Sequence, residues 1–313
     1  MVSNSSVTVQ RQSEQERIMV SVFTGVPCVT LLTINAIILF TLRSKQVFRE
    51  TSRYVLLTNL LVADSLFMMI SQILFILANC RVFLTYPVCG TLILHTMLTE
   101  SIFPLTLAVM SIERYVAVCF PLRHSSIVTM RSTAAAIAVV WAFSCVNVLI
   151  RVVLMCQFAY EELDNLEMSR ICDSFVVLMV PAAAEYDRIY NILLFSTAGF
   201  TMTSTFIAVL ITARSASVER NSVRKVQNTL LLHMIQLVLG LSSRIFIPVS
   251  VALFQVMSWI SFVRMMNVMY VLVVLLPRCL SSLIYGLRDQ TIRPNLLSNL
   301  CCGLKLAAKK QIS

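Results

Sequence analysis

Charged residues cut the chain into seven long apolar stretches. No charge lies between Arg17 and Arg43, between Arg131 and Arg151, or between Arg188 and Arg214. One charge interrupts each of the others: Asp64 between Arg53 and Arg81, Glu100 between Arg81 and Glu113, Arg244 between Lys225 and Arg264, and Arg278 between Arg264 and Arg288. About 20 mostly apolar residues suffice for a helix to cross hydrocarbon. Backbone groups must bond to one another there, which leaves helices or closed barrels. The runs are too long and too evenly apolar for alternating barrel strands. The pattern predicts an all-α fold of seven transmembrane helices, with the third and sixth limits soft. The charged residues also mark a longest outer loop at about 152–187, rich in acids: Glu161, Glu162, Asp164, Glu167, Asp173, Glu185 and Asp187.

Composition agrees with a membrane protein. Of 313 residues, 58% are hydrophobic and 13% charged, against about 25% charged in soluble domains. The six glycines are scattered, so the chain has no Gly-rich phosphate loop. His95, His124 and His233 are too far apart for a metal motif of the HExxH kind. No cofactor, metal site or catalytic constellation is expected, and the chain reads as a non-enzyme. The net charge of +10 is read against membrane lipids rather than nucleic acid.

The distribution of Lys and Arg sets the expected orientation. With an outer N-terminus, sixteen fall on the cytoplasmic side, including all five lysines, and seven on the outer side, as the positive-inside rule requires. The expected organisation is an extracellular tail over 1–17, a transmembrane domain over 18–287, and a cytoplasmic amphipathic helix and tail over 288–313. Residues 1–17 are polar and the first apolar run is too long for a signal-peptide core, so helix one is expected to serve as its own insertion signal. Asn4-Ser5-Ser6 is a glycosylation triplet on the outer tail. Cys80, Cys89, Cys156 and Cys172 fall on the outer side, where disulfides persist, and four cysteines allow three pairings. Cys301 and Cys302 follow the amphipathic stretch and are candidate palmitoylation sites, or simply reduced thiols.

The stretch Met110-Ser111-Ile112-Glu113-Arg114-Tyr115-Val116-Ala117-Val118-Cys119-Phe120-Pro121-Leu122-Arg123-His124 resembles the odorant-receptor signature MAYDRYVAICxPLRY at the inner end of helix three. Its acid-Arg-Tyr core is general to rhodopsin-like G-protein-coupled receptors; the VAVCFPLRH extension is typical of odorant receptors. Further pieces agree in order. Asn35 matches the helix-one Asn, Asn59 to Asp64 the helix-two LxxxD element, and Trp141 the helix-four Trp. Lys225, Thr229 and His233 match KAxxTCxxH, with Leu230 in place of its Cys. Leu276 to Arg288 resembles PxxNPIIYxLR, with Ser281-Ser282 replacing the Asn-Pro pair. The likeness covers nearly the whole chain and is closest in texture to fish-type odorant receptors.

This resemblance implies a rhodopsin-like bundle that binds a small-molecule odorant in its outer half and activates a stimulatory, olfactory-type heterotrimeric G protein to raise cAMP. It implies a multi-pass plasma-membrane protein, with olfactory cilia as the expected site, and a Cys89–Cys172 disulfide. Glu113, Arg114, Tyr115, His233 and Tyr285 are implied as the switch for G-protein coupling; a plain interfacial ion pair is the alternative for Glu113 and Arg114. Asn35, Asp64, Arg278 and Ser281 are implied as a polar hub. Asp64 and Arg278 are each expensive at membrane depth, by about 2.5–3.5 kcal/mol on insertion scales, so they are expected to pair with each other.

Glu100 lies about 21 Å outward of Arg114 at helical rise, and Arg244 falls at a similar depth. By family analogy both face the ligand cavity, or else only tie helix three to helix six. Around them the analogy sets Thr96, Met97, Tyr190, Asn191 and Leu194, and across the cavity Leu241, Ile245, Pro248, Val271 and Val274. Pro104, Pro248 and Pro277 break backbone hydrogen bonds within their helices and are candidate hinges.

Rivals fit less well. A retinal-type photoreceptor needs a lysine in helix seven, and none lies between Lys225 and Lys305. An aminergic receptor usually carries an Asp near Thr96, although Glu100 could still serve an amine. A receptor for an amine or other small metabolite therefore stays as the alternative. A transporter or channel would be expected to show Gly-broken helices and repeats.

Overall fold

The computed structural model describes residues 14–80, 82, 84–162, 172, 181–215 and 220–278. Among these residues seven long helices follow one another: α1 (Glu14–Ser44), α2 (Ser52–Asn79), α3 (Tyr86–Cys119), α4 (Met130–Glu162), α5 (Pro181–Ser215), α6 (Arg220–Val256) and α7 (Trp259–Met269). α7 widens into π-helical bonding over Tyr270–Leu275. Short turns at Gln46–Arg49 and Pro121–Ile127 join α1 to α2 and lead from α3 toward α4. The first five long helices are each apolar and long enough to span a membrane, and α6 carries a shorter apolar core at Gln227–Leu241.

α3 is the central rod, packed against α2, α4, α5 and α6. The main core joins Ile38 and Leu42 of α1, Leu57, Leu60 and Leu61 of α2, Phe103, Leu107 and Met110 of α3, Ala198 and Met202 of α5, and Leu237 of α6. The outward faces are as apolar as the inward ones. On α4 the exposed residues Val139, Phe143, Val146, Ile150 and Val153 recur at helical spacing. In water such a stripe would be a liability; in lipid it is the solvent-facing surface. Polar side chains largely turn inward or bond to their own helix, as Thr41 does to the carbonyl of Ile37 at 2.8 Å.

One expectation is corrected here. The sequence pattern ended helix four at Arg151 and put Glu185 and Asp187 in the outer loop. Instead α4 runs through Arg151 to Glu162, and α5 starts at Pro181. Charge marks a helix end only when the charge is solvated. Arg151 pairs with Asp187, so neither needs water, and both sit inside helices.

Candidate functional site

Polar groups enclosed in the bundle fall into three tiers along α3. In the middle tier Asp64 of α2 is paired with Arg278, which follows Pro277 one turn beyond the π-helical segment. Both residues are buried. The Arg278 guanidinium lies 3.8 Å from the centroid of Phe67 and 5.4 Å from that of Phe103. Two desolvated charges and two ring faces thus offset one another. Asn35 of α1 donates to Ser65 Oγ at 3.1 Å. Asn59 joins three helices: its Nδ2 donates to Thr106 Oγ1 of α3 at 3.1 Å, and its Oδ1 accepts from Trp141 Nε1 of α4 at 2.8 Å. Sequence matching marked Asn59 and Trp141 separately; only packing reveals that they are partners.

At the inner end of α3, Arg114 Nε donates to Glu113 Oε2 at 3.0 Å. Adjacent side chains on a helix point about 100° apart, so both must bend along the helix end to meet. His124 Nε2 stands 4.0 Å from Glu113 Oε1. Tyr115 makes an edge contact with Phe120, centroids 5.8 Å apart. Cys119 Sγ lies 3.2 Å from Thr212 Oγ1, linking α3 to α5. His233 of α6 is fully buried.

In the outer tier Cys89 and Cys172 form a disulfide. It is enclosed with Ile93 and Met97 of α3, Met155 of α4 and Ala183 of α5. Cys80 and Cys156 are exposed free thiols. Met97, Tyr190, Leu194 and Val274 are buried, while Thr96, Glu100, Asn191 and Val271 are half-buried. Leu241 is exposed. α6 is described by its backbone over 242–248, so the side chains of Arg244, Ile245 and Pro248 lie outside the described residues. So do Asn4, Ser281, Tyr285, Cys301 and Cys302. Among the described residues no group of His, Cys, Asp and Glu could hold a metal ion.

The family described as "7 transmembrane receptor (rhodopsin family)" matches residues 34–285. The chain is also 31% identical to Odorant receptor 131-2 of Danio rerio, over 99% of this chain and 94% of the other. The chain belongs to the odorant receptors of the rhodopsin family. Olfactory receptor 1E1 of Homo sapiens is 25% identical over 64% of this chain and 62% of its own, and Olfactory receptor 1493 of Rattus norvegicus 26% over 44% of each. The receptor is therefore a seven-transmembrane helix bundle, and its enclosed tiers are those of a membrane receptor rather than of a soluble helical core.

What sequence reading missed is the α4–α5 contact in the outer tier. Arg151, Asn147, Tyr186 and Asp187 lie outside the motifs matched along the sequence. The signal that could have found them was Arg151 and Asp187 themselves, two opposite charges at the margins of apolar runs.

Proposed function

We propose that this receptor binds small odorants in the outer half of its bundle and activates a stimulatory, olfactory-type heterotrimeric G protein, raising cAMP. The observation that carries the proposal is the inner end of α3, where the Arg114 side chain is held by Glu113 and only 15% exposed. A conformation that parts this pair frees a cation at the cytoplasmic end of the bundle, close to the basic third loop. An agonist needs only to favour that conformation by its differential affinity. Tyr115, His233 and Tyr285 belong to the same switch. Asn35, Asp64, Arg278 and Ser281 act as the hub between it and the ligand.

In this reading the pocket is walled by Thr96, Met97 and Glu100 of α3, Tyr190, Asn191 and Leu194 of α5, Leu241, Arg244, Ile245 and Pro248 of α6, and Val271 and Val274 of α7. It is mainly apolar with a few polar anchors, which suits small odorants. The half-buried Glu100 also favours an amine. The proposal includes a glycosylated outer tail at Asn4, palmitoylation at Cys301 and Cys302, and an outer N-terminus with a cytoplasmic C-terminus in the plasma membrane of olfactory cilia.

The test is an odorant panel on cells carrying a cAMP reporter, with wild type beside Glu100→Gln and Arg244→Ala. Ligand-evoked cAMP is expected, with a changed ligand ranking in both variants at normal surface level. An unchanged ranking would remove both residues from the pocket. Ligand-evoked current without cAMP would replace the receptor reading with a channel.

A further inference from the structure

Arg151 of α4 is fully buried, at 0% exposure. Its Nη2 donates to Asp187 Oδ1 of α5, and Asp187 Oδ2 accepts from Asn191 Nδ2 at 2.8 Å. The rings of Tyr186 and Tyr190 flank the guanidinium, with centroids 5.6 and 5.2 Å away. Tyr186 donates its hydroxyl to Asn147 Oδ1 at 3.0 Å. One turn outward, Met155 and Ala183 pack with Met97 of α3 beside the disulfide. The cluster therefore lies in the outer half of the bundle.

The hydrogen bonding of this cluster is incomplete, chiefly on the donor side. Arg151 Nε and Nη1 and Asn147 Nδ2 are buried donors without a hydrogen-bond acceptor. On the acceptor side Asn191 Oδ1 is without a donor, and the Ser144 hydroxyl is also without a partner. Buried polar groups are almost always bonded, and each exception calls for a physical reason. The donors outnumber the acceptors, so the group they await is an acceptor. Its charge is limited by Asp187. Arg151 and Asp187 together are neutral, so a carboxylate would bring a second, uncompensated anion into a low-dielectric site beside the first. A neutral carbonyl oxygen takes the same N–H groups and adds no charge.

We infer that Arg151 and Asn147, backed by Asp187, form a binding site between α4 and α5 for neutral carbonyl compounds such as esters, ketones and lactones. Arg151 supplies the donors, Asp187 fixes its fork and cancels its charge, and the Tyr186 and Tyr190 rings hold the guanidinium in place. The inference rests on the outer half of the bundle being where ligands bind, and it adds the ligand class and an anchor outside the motifs matched along the sequence.

The test measures thermal stabilisation of the purified full-length receptor by probes of equal carbon number: methyl heptanoate, γ-octalactone, octanol, octanoate and octane. The two carbonyl probes are expected to stabilise best. Arg151→Lys keeps the charge against Asp187 but loses the fork, and should weaken both carbonyl probes roughly tenfold or more. Asp187→Asn removes the compensating anion and should make octanoate the best probe. Should either charge variant fail to reach the membrane, Asn147→Ala, which leaves the ion pair intact, is expected to weaken the carbonyl probes several-fold. The inference is overturned if octanoate or octanol binds best in the wild type, if neither carbonyl probe stabilises it, or if Arg151→Lys and Asn147→Ala bind as the wild type does. Carbonyl binding without cAMP would leave this site standing and sink the signalling proposal. A cAMP response indifferent to Arg151→Lys would do the reverse.

Discussion

At the scale of single residues, two charged pairs among the described residues are held at membrane depth by their partners, Asp64 with Arg278 and Arg151 with Asp187. Asp64 and Arg278 are the clearest case, being buried, paired and stacked on Phe67 and Phe103. Removing one partner of a buried pair typically costs about 3–5 kcal/mol, because the other charge is stranded. Asp64→Asn and Arg278→Met should each lose most surface expression, measured by labelling of intact cells. The swap Asp64→Arg with Arg278→Asp should recover part of it. If the double variant is no better than either single one, the pair is not what holds these residues. At the inner end, Glu113→Gln leaves Arg114 with a neutral acceptor. Hydrogen bonds to charged groups are worth about 1.5–3 kcal/mol, so basal cAMP should rise, by up to about tenfold if that difference falls wholly on the closed state. Unchanged basal cAMP at equal surface level would reduce Glu113 and Arg114 to an interfacial ion pair without a switch role.

At the scale of helices, the limiting contact is between α3 and α6. A Cβ built on Gly240 would lie 2.7 Å from the Phe103 ring. That ring is wedged in the main core and beneath Arg278, so it has little room to yield. Overpacking of this kind costs about 1–3 kcal/mol. Gly240→Ala should lower the melting temperature of the purified receptor, and Gly240→Ala combined with Phe103→Leu should restore much of the loss. No change on Gly240→Ala would mean that α6 can shift away from α3 at no cost. Helix existence was legible in the sequence at this scale, because apolar runs of membrane length have no other stable form. Helix limits were less so. Arg151 read as a helix end and Asp187 as a loop residue, yet they sit inside α4 and α5, since a charge satisfied across a helix interface no longer needs an end. Asn59 and Trp141 were visible as separate marks, while their hydrogen bond was not, because no local rule says which faces of α2 and α4 will meet.

For the whole molecule, the uneven distribution of Lys and Arg predicts an outer N-terminus and an inner C-terminus. An epitope at the N-terminus should be stained on intact cells and one at the C-terminus only after permeabilisation; Asn4→Gln should speed migration on a gel by the loss of one glycan. Both ends on one face would contradict an odd number of spans. The Glu16–Arg264 ion pair ties the start of α1 to α7, and Tyr270 donates to Gln72, which donates to Thr24, across the same three-helix corner. These contacts join the first span to the last, so the other six helices pack as a closed ring around α3. The sequence by itself determined the number of helices, their expected direction and the family, because hydropathy, charge asymmetry and the Met110–His124 motif are all local in the chain. Only tertiary structure decided which buried charges meet. Asp64 with Arg278 and Arg151 with Asp187 are separated by many residues and chosen by helix rotation and depth, which no stretch of sequence specifies alone.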